Sequence, residues 1–345
     1  MNRKVMFGCV LAIGTAHGAQ AAETVPIADP EPVGYVRICD AYGAGFYYLP
    51  GTETCLKIGG YLRYEIGAGD LFGADLDGDG RGDTYYKRAR AALKVDARSE
   101  TELGTLRGYM HLNFQNDIDS FGTGETMEIE SAIIELGGLR IGVHDSLFIT
   151  FVNYAGYVSK DDVIGYGPFA TQQIAYTYSS ENGFTAAVSL ETGYDPFTID
   201  SYMPHVVAGL SYTQPWGGIA VVAAYDAVVE EWSGKLRLDA TINDRISAFG
   251  MVGLKSEGSR PYSEFYGIWG GKWAVWGGAS ITTSDNASVN FQLSYDEDEN
   301  FAAIANVAYQ VVPNLTVTPE IGFYDNFAAD DADMIGGFVR VEMSF

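Results

Sequence analysis

The chain has 345 residues, with 45 Asp and Glu against 21 Lys and Arg, a formal net charge of −24. That excess of anions argues against nucleic acid as a partner, because its binders present basic patches. A hydrophobic fraction of 47% with 13% aromatics excludes a disordered acidic tail, so charged and apolar residues must occupy separate places.

At the amino terminus Arg3 and Lys4 precede an apolar run from Val5 to about Ala16, then Ala19-Gln20-Ala21. This is the order of a secretory signal peptide, 1–21, cut after Ala21. The run is shorter than the roughly 20 residues a membrane helix needs, and no later apolar stretch reaches that length. Cys9 leaves with the signal, so Cys39 and Cys55 remain, and in an oxidising compartment they are predicted to form a disulfide. Residues 22–55, rich in Tyr, Gly and Pro, read as an N-terminal periplasmic segment. They either close the periplasmic mouth or form a structured extension.

From residue 56 to 345 side chains alternate with a period of two. In "LKIGGYLRYEI", Leu56, Ile58, Leu62, Tyr64 and Ile66 share one face, while Lys57, Tyr61, Arg63 and Glu65 share the other. "YYKRARAALKVDAR", "TLRGYMHLNFQ", "KLRLDATIN", "SVNFQLSYD" and "VRVEMSF" repeat the pattern. This is the signature of strands with one apolar and one polar face. About 16 such segments follow one another, most near the 9–11 residues that a tilted strand needs to cross hydrocarbon. Connections alternate between short turns such as "SENG", "PWG" and "VPN" and longer acidic loops such as "NDIDSFGTGE" and "KSEGSRPYSEFYGIWG", with "VVEE" and "DEDEN" as brief exceptions. Aromatics including Tyr64, Tyr178, Tyr212, Tyr309 and Phe323 fall near the ends of the apolar faces, as in the girdles of outer-membrane barrels. The fold class is therefore all-β, a transmembrane antiparallel β-barrel of about 16 strands, closed because hydrocarbon tolerates no open edge.

The first long loop contains "ADLDGDGRGD", whose Asp75, Asp77, Asp79 and Gly80 copy half of an EF-hand loop. A calcium sensor needs a carboxylate at the twelfth position, here Tyr86, and flanking helices. Both are missing, so the expectation reduces to a surface calcium ion held by Asp75, Asp77 and Asp79, and to no other cofactor.

Residues Glu31–Glu65, "EPVGYVRICDAYGAGFYYLPGTETCLKIGGYLRYE", and Leu136–Phe148, "LGGLRIGVHDSLF", resemble the alphaproteobacterial general porin family. The ending "VRVEMSF" is similar to the terminal strand read by the barrel assembly machinery, with Phe345 as the assembly signal. The resemblance spans the mature chain. It implies a homotrimer in the outer membrane, in contact with its lipids and lipopolysaccharide, that passes small hydrophilic solutes by diffusion. It also implies a third external loop folded into the lumen. The third long connection, His144–Ala170, fits that role, since it carries more aromatic and aliphatic residues than a solvated loop should. It offers Asp145, Lys160, Asp161 and Asp162 as pore-facing charges, or Lys160–Asp162 as an outward tip.

Facing that loop, inward parity gathers Lys57, Arg63, Arg88, Arg90, Lys94, Arg98, Arg107 and Arg140 on the early strands. Two readings stand. Either these cations oppose the acidic loop and set up a transverse field at a constriction, or they pair with Glu65, Asp96 and Glu128 in an ordinary polar wall. An enzyme is disfavoured, because His111, His144 and His205 are the only histidines after processing and no serine motif accompanies them. A substrate-specific channel would use Tyr61, Tyr109 and Trp276 as an aromatic track. An adhesin barrel would carry longer loops.

Overall fold

The computed structural model describes residues 37–78, 82–258, 262–329 and 333–345. The predicted signal peptide and Asp79 lie outside the described residues. A two-residue strand, β1 (Tyr47–Tyr48), precedes the barrel. The barrel comprises β2 (Cys55–Ala68), β3 (Tyr86–Thr101), β4 (Gly104–Asp119), β5 (Gly122–Leu136), β6 (Leu139–Asp145), β7 (Ala170–Ser179), β8 (Phe184–Glu191) and β9 (His205–Gln214). It continues with β10 (Gly217–Asp226), β11 (Glu231–Asn243), β12 (Ile246–Lys255), β13 (Trp273–Ser284), β14 (Ala287–Asp296), β15 (Asn300–Val312), β16 (Leu315–Asn326) and β17 (Met334–Ser344). Each pairs antiparallel with its neighbour in sequence, and β17 pairs with β2 through Val341↔Tyr64 and Met343↔Leu62, which closes the ring. The final residue extends the seam: Phe345 N donates to Gly60 O, and Gly60 N donates to Phe345 O. No helix among the described residues is long and apolar enough to cross a membrane.

The period of two becomes a two-sided wall. On β11, Leu236 and Leu238 are exposed on the outside, whereas Lys235 and Arg237 are buried on the inside. On β14, Phe291 and Leu293 point out, and Asn290, Gln292 and Ser294 point in. β5 departs from strict alternation. The register slips between His111 and Leu112, so Met127 and Ile129 face outward before it and Ala132 and Ile134 after it. Such a bulge shifts parity by one residue without breaking the sheet. Outer-end aromatics touch around the rim, Tyr225 with Trp232, Trp273 with Tyr295, and Phe301 with Phe323 and Phe327.

One expectation about the loops fails. "NDIDSFGTGE" is read above as a long external loop, yet β4 and β5 run on until only Ser120 and Phe121 join them. Asp119 accepts from Phe121 N, and Gly122 takes φ 100°, a conformation that glycine adopts without cost. Polar strand ends that rise above the membrane read like a loop in sequence.

Candidate functional site

The barrel interior is not uniformly wet. After β6, Ser146 caps a one-turn helix, α1 (Leu147–Thr150), by accepting from Phe148 N at 3.1 Å. The base of this excursion is tied shut by Ser146 N donating to Phe169 O at 3.0 Å. Glu191 of β8, fully buried, accepts from Ser146 Oγ at 2.7 Å, Leu147 N at 2.9 Å and the Tyr266 hydroxyl at 3.1 Å. From there residues 151–166 are held along their backbone by inward side chains of successive strands. Arg237 of β11 donates to Tyr154 O at 2.6 Å, and Lys235 donates to Tyr166 O at 2.7 Å. Trp276 of β13 donates to Ile164 O at 2.9 Å, and Gln292 of β14 to Asp161 O at 2.7 Å. Asn306 of β15 reaches Tyr157 O, and Glu320 of β16 accepts from the backbone of Ser159 and Lys160. Chain with its carbonyls so satisfied can lie against a wall without stranding polar groups.

Beneath these bonds is an apolar core. Leu147, Phe148, Ile149, Val152, Ile164 and Tyr166 pack with Phe265, Tyr266 and Trp269 of the β12–β13 loop, and with Val207, Val222, Phe249, Met251 and Trp276 of the wall. Lys255 fixes the second loop by donating to Gly267 O and Trp269 O. The sequence reading missed this contribution of the β12–β13 loop. Its "EFYGIW" was the available signal, too apolar for a solvated loop. Trp276 is buried in this core and so lines no open aromatic track. Phe72 of the first external loop joins Val158 and Phe338 in a smaller cluster.

The predicted loop charges fall in different places. Asp145 is only 6% exposed, with the Tyr154 hydroxyl donating to it, so it lies beneath the loop and away from open water. The Lys160 ammonium stands 4.8 Å from the ring centroids of both Tyr86 and Phe338. Asp162 is exposed. Asp161 is half-buried and accepts from the Tyr166 hydroxyl at 2.9 Å. Burial first, and then the charge of Asp162, push its carboxyl up to about 7. Glu264, against Ser233 at 2.9 Å, is raised to about 7 mainly by burial.

The early strands bring the predicted cations together on one inner face, and most of them are paired. Arg88 grips Asp117 with two bonds, 2.9 and 3.1 Å, and Arg340 donates to Glu65 at 2.7 Å. Arg98 and Arg107 share Asp96, and Arg107 and Arg140 share Glu135. Arg63 holds Glu342 at 2.7 Å. Arg90 donates to the neutral amide of Gln115 at 2.7 Å, and Lys94 lies over the Tyr61 ring. Lys57 donates to Ala44 O. Glu65 and Asp96 are the partners expected above, while Glu128 holds none of these cations among the described residues.

At one end of this wall Cys39 and Cys55 form the predicted disulfide and pack with Phe46. Tyr42 donates to Glu100 at 2.7 Å, which pins residues 38–48 over the ends of β2–β4. In the first external loop Asp75 accepts from Gly78 N, three residues on, at 2.7 Å. No group of His, Cys, Asp and Glu suited to a metal is found among the described residues.

Residues 24–339 match the family model described as Porin subfamily. The chain is 42% identical to porin Omp2a of Brucella melitensis and 43% identical to porin Omp2b of Brucella neotomae, in each case over the whole of both proteins. Its fold is similar to the outer membrane channel DcaP of Acinetobacter baumannii, with a TM-score of 0.68 at 16% identity over 86% of this chain and 99% of that one. It is also similar to Salmonella typhi OmpF, with a TM-score of 0.63 at 9% identity over 85% and 98%. A closed sixteen-stranded wall, greasy outside and polar inside, carries the same meaning as these matches: the chain belongs to the porin family and forms a channel in the outer membrane.

Proposed function

We propose that residues 146–169 set the width of this channel and that small hydrophilic solutes and ions diffuse through the space left between that segment and the inner face of β2–β6. The observation that carries the reading is the run of hydrogen bonds from β11, β13, β14, β15 and β16 to the segment's own backbone. Inward residues on that side are committed to packing. The polar passage is left beside Arg63, Arg88, Arg90, Lys94, Arg107 and Arg140, opposite the acidic tip at Asp161 and Asp162. Charges of opposite sign across a narrow aqueous gap order water and penalise apolar solutes.

The proposal includes a homotrimer in contact with the outer leaflet, assembled through the outer face of β17 and β2–β5. That face bears a groove of about 830 Å³ lined by Leu62, Tyr64, Ala89, Ala91, Phe114 and Met127, with Asn116 and Glu125 on its border. A carboxylate on a lipid-facing wall is costly, whereas one at a protein contact can be paired across it. Phe345, seated on Gly60 at the seam, is the residue assigned to recognition by the assembly machinery.

Liposome swelling with neutral sugars of graded size tests the channel reading. A smooth fall of rate with size supports a general sieve. One favoured sugar supports a specific channel, and no swelling removes the diffusion reading.

A further inference from the structure

We propose that the inner face of β2–β4 at mid-height holds a station for small phosphate-type oxyanions, built from Arg90 and Lys94 with Arg63 beside them. The proposal rests on the channel reading above and names a class of solute for it.

Three levels of one wall differ in how their cations are matched. On the outer side of the patch Arg340, Glu65, Arg88 and Asp117 alternate across four strands, and each arginine has a carboxylate. On the inner side Arg98 stands directly opposite Arg107, and Asp96 accepts from both, at 2.7 and 2.9 Å. Between them Arg63 stands directly opposite Arg90. Like charges directly opposed in a sheet are unfavourable unless something neutralises them. Glu342 serves Arg63 from the β17 side, but Arg90 meets only the Gln115 amide. Among the described residues no carboxylate lies within ion-pair distance of Arg90 or Lys94.

Two of these cations flank one ring. The Arg63 guanidinium carbon and the Lys94 ammonium lie 4.4 and 5.4 Å from the centroid of one ring, that of Tyr61. Tyr61 faces Ala92, which separates Arg90 from Lys94. His111 is directly opposite Lys94, and its Nε2 is buried without a hydrogen-bond partner. The patch thus offers a planar guanidinium fork with its terminal nitrogens uncommitted, and an ammonium. Guanidinium and ammonium groups together suit the tetrahedral oxygens of phosphate. In a chain with a net charge of −24, this is positive charge kept unmatched at mid-barrel.

The test uses the full chain in planar bilayers at constant ionic strength, with inorganic phosphate replacing chloride. Phosphate should reduce the open-channel current in a saturable way. Arg90→Gln and Lys94→Gln should each require about five-fold more phosphate for the same reduction, the factor for losing one close charge in water. Lys87→Gln, on the outward face of β3, should behave as the parent. Heat-modifiable gel mobility checks that each variant is a folded barrel. Phosphorus NMR line broadening by the detergent-solubilised parent gives a second readout that needs no variant. Glycerol phosphate in the same titration separates the sources: a response to it extends the class to phosphorylated solutes, and a response to inorganic phosphate alone confines it to the free ion. A channel that conducts potassium chloride yet responds to neither, or variants that respond as the parent does, overturns the station. A parent that conducts no potassium chloride overturns the channel reading instead.

Discussion

Replacing Asp161 tests whether the segment inside the barrel is held as described. Its carboxyl is raised to about 7 by burial, with Asp162 adjacent, Glu320 bearing on it from β16, and the Tyr166 hydroxyl donating in return. An acid whose value is raised on folding favours the packed state below its ordinary value, 3.8, and loses that contribution as pH climbs through about 7. A tenfold change in acidity corresponds to about 1.4 kcal/mol. The carboxyl is half-buried by surface, so solvent screening reduces the full value to about 2 kcal/mol, or about thirty-fold in the docked population. Glu264, raised to about 7 on the neighbouring loop, adds in the same direction. Open-channel current fluctuations in planar bilayers should therefore grow as pH rises from about 5 to about 8.5, with the change centred near 7. In Asp161→Asn/Glu264→Gln they should stay low and flat throughout. A double variant that reproduces the parent's pH curve would refute the assignment of these two groups.

Trp276→Ala removes the bond to Ile164 O and the contacts with Tyr166 and Trp269. It should cost about 3–5 kcal/mol of local packing and admit larger sugars in liposome swelling, and an unchanged size limit would count against residues 146–169 as the limiting segment. Asp96→Asn leaves Arg98 and Arg107 facing each other without their shared carboxylate. The zero-current potential in a salt gradient should move toward anion preference. Cys39→Ser unties residues 38–48, with about 3 kcal/mol of chain entropy at stake in a loop of this length. Proteolysis within 37–54 should accelerate while the barrel keeps its heat-modifiable mobility.

The wall was legible because its rule is local. Residues such as Leu236 and Lys235 declare their sides through a period that hydrocarbon and water enforce at every step. Strand order follows from the same rule, since antiparallel neighbours in sequence pair in space. The interior obeys no such local rule. That Arg88 takes Asp117, or that Arg237 takes the Tyr154 carbonyl, depends on the stagger of strands and on where a long loop lies. Residues far apart in sequence decide it. Asp145 looked like a pore charge because it belongs to the long connection expected inside the lumen, and only the position of Tyr154 reveals that it is covered. Glu130 could not be identified as the extra residue of β5 because a bulge leaves no mark beyond one skipped alternation.

The segment held inside the barrel has a consequence for how such a channel changes over generations. The strand residues that hold the segment in place, such as Phe249, Gln292 and Lys235, share their strands with lipid-facing neighbours but never share a face with them. Substitutions that retune what passes are therefore invisible to the bilayer. Insertion and solute choice can drift independently along one polypeptide.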